Sequence, residues 1–306
     1  MNRYSPFLQI PDVVKNLLIF NVLIFFASIL FNAVDISKYF ALHPFQSQEF
    51  RPHQLVTHLF MHGNFAHLFF NMFALWMFGK VLENVWGGKK FLTYYMITGL
   101  GAMIIYSSVQ QIRISNLESK MTAEQIANVS SENGYNCYTD MKYQLGLSSG
   151  EVKFGTQFFN KYNITTQNQV DLLMLYYTPV VGASGAVFGL LLAFGVLFAN
   201  TRLYIYIGML AFIIISYVFN LPSNFLLYVF FGFILLGKMI PDISRLLWKT
   251  FPVKAKYFVI IYGILELYLG IINNPTDNVA HFAHLGGMLF GYLLIKYWQK
   301  ENNSLY

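Results

Sequence analysis

Charge is what this sequence lacks most. Asp, Glu, Lys and Arg make up 11 % of its 306 residues, less than half the share of roughly 25 % found in soluble domains. A globule of this length could not cover its surface with so few ionic groups. Cysteine is almost missing: Cys137 stands alone, which excludes an internal disulfide framework. Tracts typical of disordered or collagen-like chains are missing as well. What is abundant is apolar, 56 % hydrophobic types with 18 % aromatics. A membrane protein with several spans fits this composition. The net charge of +6 then reads as a topology signal, and no nucleic-acid partner is expected.

A helical span needs about 20 mostly apolar residues. Candidates fall at 17–34, 65–83, 91–110, 184–199, 203–220, 224–240, 256–273 and 281–297. The first is too long in its apolar core, and too poor in its cleavage site at Phe31-Asn32-Ala33, to read as a signal peptide. With the N-terminus inside, Arg3, Lys15, Lys80, Lys89, Lys90, Arg202, the bases of 238–256, Lys296 and Lys300 all face inward. The short outer loops then hold only Lys38 and Arg51. That asymmetry places both termini in the cytoplasm.

One polar stretch, at about 112–170, interrupts the apolar pattern. Thr122 and Gln125 are spaced to open a short helix through a capping box, and Asn133-Gly134 reads as a turn. The stretch is small for an independent core and is expected to lean on the outer face of the membrane part. A second polar element is the basic inner loop 238–256 with Pro241 and Pro252.

All seven histidines lie in two groups, His43 to His67 and His281 with His284. The topology puts both groups at the outer end of the bundle, where intramembrane histidines must face protein or water. His58 and His62 read as structural residues bonding loop carbonyls. Their spacing could suit a metal, yet no Glu stands between them and no acid or thiol lies near in sequence, so no metal and no cofactor is expected.

Gly182-Ala183-Ser184-Gly185 opens a span after Pro179. A serine at a helix N-terminus either caps the helix or is a nucleophile whose oxyanion the free N–H groups favour. Gly185 and Gly189 are four apart, as are Gly287 and Gly291. Such small faces let two membrane helices approach closely. Packing them together brings Ser184 within reach of His284, a nucleophile with its base. Phe188, one turn below Ser184, can stack on that imidazole. The acid nearest in sequence to His284, Asp277, reads as a loop residue, and Glu83 and Glu266 read as distant from the histidines.

Three segments then resemble one family. His58 to Asn71 (HLFMHGNFAHLFFN), Gly182 to Gly185 (GASG) and Ala283 to Gly287 (AHLGG) are similar, in order and spacing, to the signatures of rhomboid intramembrane serine proteases of the bacterial type. The resemblance implies an all-α polytopic membrane helical bundle, a rhomboid-like six-helix core here joined by about two additional spans. It implies a Ser184–His284 catalytic dyad without a third acid. The oxyanion would be held by the Ser184 N–H with the side chains of His67 and Asn71. Gly182, Phe188, Gly287 and Glu83 match supporting positions, and Gly291 joins them as the second residue of the small face on its helix. The implied substrates are transmembrane helices of other membrane proteins, cut near their outer ends in the bilayer of the plasma or inner membrane. The alternative is a non-catalytic relative that binds and escorts membrane proteins. A histidine-based transporter is a third class, weakened by the lack of acids near the histidines.

The expected organisation is therefore 1–111 for the first three spans, 112–178 for an inserted outer segment and 179–202 for the serine span. An inserted span pair with its basic loop follows at 203–250, and the last two core spans at 251–306. The long stretch before Ser184 and the added pair at 203–240 depart from the family pattern.

Overall fold

The computed structural model describes residues 10–30, 36–147, 155–206, 250–272 and 279–301. Most of the expected pair at 203–240, most of the basic inner loop, Asp277 and the last residues of the tail lie outside the described residues.

The helices are α1 (Asp12–Leu30), α2 (Ile36–Phe40), α3 (Gln54–Thr57), α4 (Phe65–Ala74), α5 (Lys80–Trp86) and α6 (Gly88–Glu118). They continue with α7 (Ala123–Ser130), α8 (Glu132–Leu147), α9 (Thr156–Asn160), α10 (Gln167–Tyr177) and α11 (Ser184–Leu197). Strands β1 (Arg202–Tyr206) and β2 (Thr250–Lys254) follow, then α12 (Ala255–Ile272) and α13 (His281–Glu301). A π-helical turn, Leu75–Gly79, joins α4 to α5 without a break. The architecture is an all-α membrane bundle with one short β-ribbon.

Among the described residues four helices are long and apolar enough to cross a membrane: Asp12–Leu30, Phe65–Trp86, Gly88–Glu118 and Ala255–Ile272. Their faces show why. In α1 the buried residues Val14, Leu17, Asn21 and Phe25 form one stripe, the spacing of a single helix face. Ile19, Phe20, Leu23, Phe26 and Ile29 are exposed on the rest, an apolar surface suited to lipid. Helix α11 has only 14 residues, about 21 Å of rise against a hydrocarbon core of about 30 Å. Helix α13 is long, but His281, His284, Lys296, Lys300 and Glu301 lower its hydropathy. Its polar first turn belongs to the site described below.

The centre of the bundle is the contact of α6, α11 and α13. Ala186, Leu190, Tyr94, Tyr95 and Ile295 are buried there. At Gly287 a side chain would collide with the Gly185 carbonyl, and at Gly291 one would collide with the Tyr94 hydroxyl. The glycine faces of α11 and α13 do meet. Gly189 itself packs on Thr98 of α6, so the approach involves three helices rather than two.

Glu83 joins α5 to the start of α1. Its Oε1 accepts from the Val13 N–H at 3.0 Å and its Oε2 from the Val14 N–H at 2.8 Å. Two of the orphan donors of an apolar helix are thereby satisfied, with a negative charge at the positive end of the dipole.

The polar stretch folds around the end of α6. That helix continues without interruption past residue 111 to Glu118. Thr122 and Gln125 make the capping box that opens α7, and Thr166 with Gln169 make another at α10. Asn133-Gly134 is not a turn but lies in the first turn of α8. The glycine is there for space, because a side chain at 134 would strike the Val129 carbonyl at the end of α7. The segment also has more of a core than its size suggested. Ile114, Val129, Cys137, Ile164, Leu172, Leu173, Tyr176 and Tyr177 are buried together, and the Tyr176 hydroxyl binds Glu118. Its link to the loops beneath includes the Tyr135 hydroxyl donating to Glu49 at 3.1 Å.

Residues 203–206 are not the beginning of a helix. Strand β1 pairs antiparallel with β2, with Arg202 opposite Lys254 and Tyr206 opposite Thr250. The pairing continues into the helices, as the N–H of Ala255 donates to Thr201 and that of Lys256 to Ala199. Leu203, Tyr204 and Ile205 are residue types that suit a strand, and Pro252 is tolerated because a two-stranded ribbon consists of edges.

Candidate active site

The loop 178–183 carries Ser184 to its place. Leu42 and Val180 exchange backbone hydrogen bonds of 2.9 and 2.8 Å, and the Gly182 N–H donates to the His58 carbonyl at 2.9 Å. His58 is fully buried, with its Nδ1 bonded to the Gln54 carbonyl at 2.7 Å. Gln54 in turn accepts from the backbone N–H groups of His43 and Arg51. His58 therefore holds loops together, as its sequence context suggested. Gly182 has φ +127, a backbone region open to glycine and strained for other residues. A Cβ there would stand 2.8 Å from His67 Nε2 and 3.6 Å from Ser184 Oγ. The missing side chain is the room in which the His67 ring approaches Ser184.

Ser184 is the first residue of α11, after Ala183 at the N-cap. Its side chain does not cap the helix. Ser184 Oγ instead lies 2.9 Å from His284 Nε2. The His284 ring lies flat on Phe188, with centroids 4.0 Å apart and planes 6° from parallel. Phe188 also contacts Tyr262 at 5.5 Å, so the imidazole rests on a packed aromatic surface.

His67 and Asn71 lie one turn apart on α4. The Asn64 side chain caps that helix by accepting from the His67 N–H at 2.8 Å. Asn71 is buried, and its Nδ2 has no partner among the described residues. A buried amide left without an acceptor is costly in a folded protein, and here the open donor sits on the His67 face. The rings of His62 and His67 meet edge to face at 5.1 Å.

The reading that no acid stands near the histidines is corrected by Glu266. Its Oε2 lies 2.9 Å from His284 Nδ1 and 2.6 Å from His281 Nδ1. Glu266 is buried on α12, on one stripe with Ala255, Val259 and Gly270. Sequence separation concealed this contact. A lone acid inside an otherwise apolar run is nonetheless a functional signal in a membrane helix, and that signal was present. The ligand atoms of Glu266, His281 and His284 lie within 4.8 Å of one another. This is a possible cation-binding set, so one ground for setting metal aside falls away.

Fold and site together define a multi-pass helical membrane protein with a serine–histidine pair at one end of its bundle. The rhomboid domain family matches residues 49–114, a stretch that holds His58, His67 and Asn71. The chain is 32 % identical over 89 residues to Rhomboid-like protein 11, chloroplastic, of Arabidopsis thaliana, covering 29 % of this chain and 30 % of that one. It is 38 % identical over 58 residues to Rhomboid protease AarA of Providencia stuartii, covering 19 % and 21 %. The matched stretches thus span less than a third of either relative. These matches support a rhomboid family protein. The family match does not reach Ser184 or His284, whose place together rests on the geometry above.

Proposed function

We propose that this protein is an intramembrane serine endopeptidase that hydrolyses peptide bonds in or near the outer ends of transmembrane helices of other membrane proteins. The observation that carries the proposal is the 2.9 Å contact of Ser184 Oγ with His284 Nε2, at the open end of a helix dipole. Ser184 Oγ attacks the scissile carbonyl carbon while its proton passes to His284 Nε2. The oxyanion forms beside the Ser184 N–H, the His67 ring and the Asn71 Nδ2, donors that are fixed before reaction. As the C–N bond breaks, His284 returns the proton to the leaving amine, and water then hydrolyses the acyl-enzyme by the same route. Gly182, Phe188, Gly287 and Gly291 serve by shape, and Glu83 by capping α1. A substrate helix must unwind locally before attack, since its carbonyls are otherwise held in hydrogen bonds. The asymmetry of Lys and Arg supports cytoplasmic termini in a cell membrane.

The test is cleavage of a single-span reporter by reconstituted protein. Ser184→Ala and His284→Ala are each expected to lose at least about 10³-fold in rate. Wild-type cleavage by either variant would leave a role in binding and escorting membrane proteins instead.

A further inference from the structure

We infer that Glu266 is a positioning residue for His284, which makes the pair of serine and histidine the working end of a Ser184–His284–Glu266 line. The inference rests on the protease reading above and deepens it.

Three observations lead there. First, the line is continuous: Ser184 Oγ to His284 Nε2 is 2.9 Å, and His284 Nδ1 to Glu266 Oε2 is 2.9 Å. The two nitrogens of one ring are engaged on opposite sides. A carboxylate can only accept, so His284 carries its proton on Nδ1, and Nε2 is left with the lone pair that faces Ser184. Second, the carboxylate is itself held. His281 Nδ1 donates to the same oxygen at 2.6 Å, and His281 stands one turn before His284 on α13. Third, Glu266 is buried, at 5 % exposure, on a helix whose other faces carry exposed Ile260, Ile261, Ile264, Ile271 and Ile272. An acid in such a helix is expensive unless partners repay it. Its hydrogen-bond partners among the described residues, His281 and His284, are both at the site.

In the reaction the proton moves from Ser184 Oγ to His284 Nε2 and onward to the leaving amine. Glu266 takes no proton. It fixes the tautomer and plane of the ring and faces the imidazolium that forms. His281 is the second donor that keeps the carboxylate from turning toward any other group. A rigid link between α12 and α13 would use the same contacts without affecting chemistry, and the experiment separates the two roles.

The probe is Glu266→Gln, read by reporter kinetics, by the rate of Ser184 labelling with a fluorophosphonate, and by thermal unfolding in detergent. An amide can donate to Nδ1 and so favour the wrong tautomer. The expected result is a kcat lower by roughly 10²–10⁴-fold, slowed labelling to match, and an unchanged KM. A change in melting temperature or KM with kcat within threefold of wild type overturns the inference and leaves Glu266 as a link between helices. A second measurement does not depend on the variant folding. Nitrogen-15 spectra of the wild-type protein, labelled at histidine, are expected to show His284 protonated at Nδ1 in its neutral form. A neutral ring protonated at Nε2 refutes the proposal. Wild-type protein without Ser184-dependent cleavage or labelling would overturn the protease reading instead, so the two failures are distinguishable.

Discussion

Replacing Gly182 with alanine separates two costs that usually arrive together. Gly182 has φ +127, and a residue with a side chain pays about 1–3 kcal/mol to remain in such a conformation. The new methyl would also lie 2.8 Å from both Cε1 and Nε2 of His67. Ordinary carbon contacts lie at about 3.5–4.0 Å, so the ring must retreat by roughly 1 Å. Displacement of that size at a reacting centre can cost about 10²-fold, and loss of one oxyanion donor about 10²–10³-fold. Gly182→Ala is therefore expected to lower kcat for reporter cleavage by about 10²–10³-fold and to lower the melting temperature as well. Gly87 provides the control. It too has positive φ, +76, but nothing lies within 4 Å of its Cβ position. Gly87→Ala should lose stability and keep kcat. Combined with His67→Ala, which removes the obstructed ring, Gly182→Ala should cost little further activity. If Gly182→Ala cleaves within threefold of wild type, or behaves like Gly87→Ala, the space at Gly182 does not position His67.

Three further outcomes follow from the structure. Glu83→Ala leaves the Val13 and Val14 N–H groups without their carboxylate and should cost about 2–4 kcal/mol; an unchanged melting temperature would show that α1 does not depend on this cap. Burial lowers the pKa of His58 to about 4 and of His62 to about 3. Histidines held neutral in the folded state add stability above their ordinary value of 6.5, and it is lost as pH falls from there toward 4, so the melting temperature should drop over that window and drop less in His58→Gln. Chelation by EDTA should leave reporter cleavage unchanged, because Glu266, His281 and His284 are joined by hydrogen bonds; activity lost to EDTA and restored by a divalent cation would make them metal ligands.

Much of this site is legible in the sequence, because its parts are local in the chain. Gly-x-Ser-Gly at the start of a span and the paired small residues at Gly185, Gly189, Gly287 and Gly291 record close helix approach directly. Phe188 follows from one turn of α-helix. The capping box at Thr122 is a four-residue pattern and was equally legible. The contact of Glu266 with His284 is not legible in the sequence, since it depends on how α12 is rotated about its axis. Even so, the stripe Ala255, Val259, Glu266 and Gly270 marks the inward face and places the acid on it. Gly134 misled because glycine marks turns and close contacts alike, and only the Val129 carbonyl decides between them. Leu203 to Tyr206 open an apolar run whose composition strand and helix share; the partner at Thr250–Lys254 that makes these residues a strand is far away in the chain.

The β-ribbon places Tyr206 directly opposite Thr250, so these two residues stand about 5 Å apart. The ribbon thereby ties the end of α11 to the start of α12. The distance between α11, which begins with Ser184, and α12, which carries Glu266, is set by the ribbon and by the packing around it. The ribbon therefore acts on the site from the far end of its helices, keeping the serine and the glutamate at a set spacing through the backbone rather than through side chains.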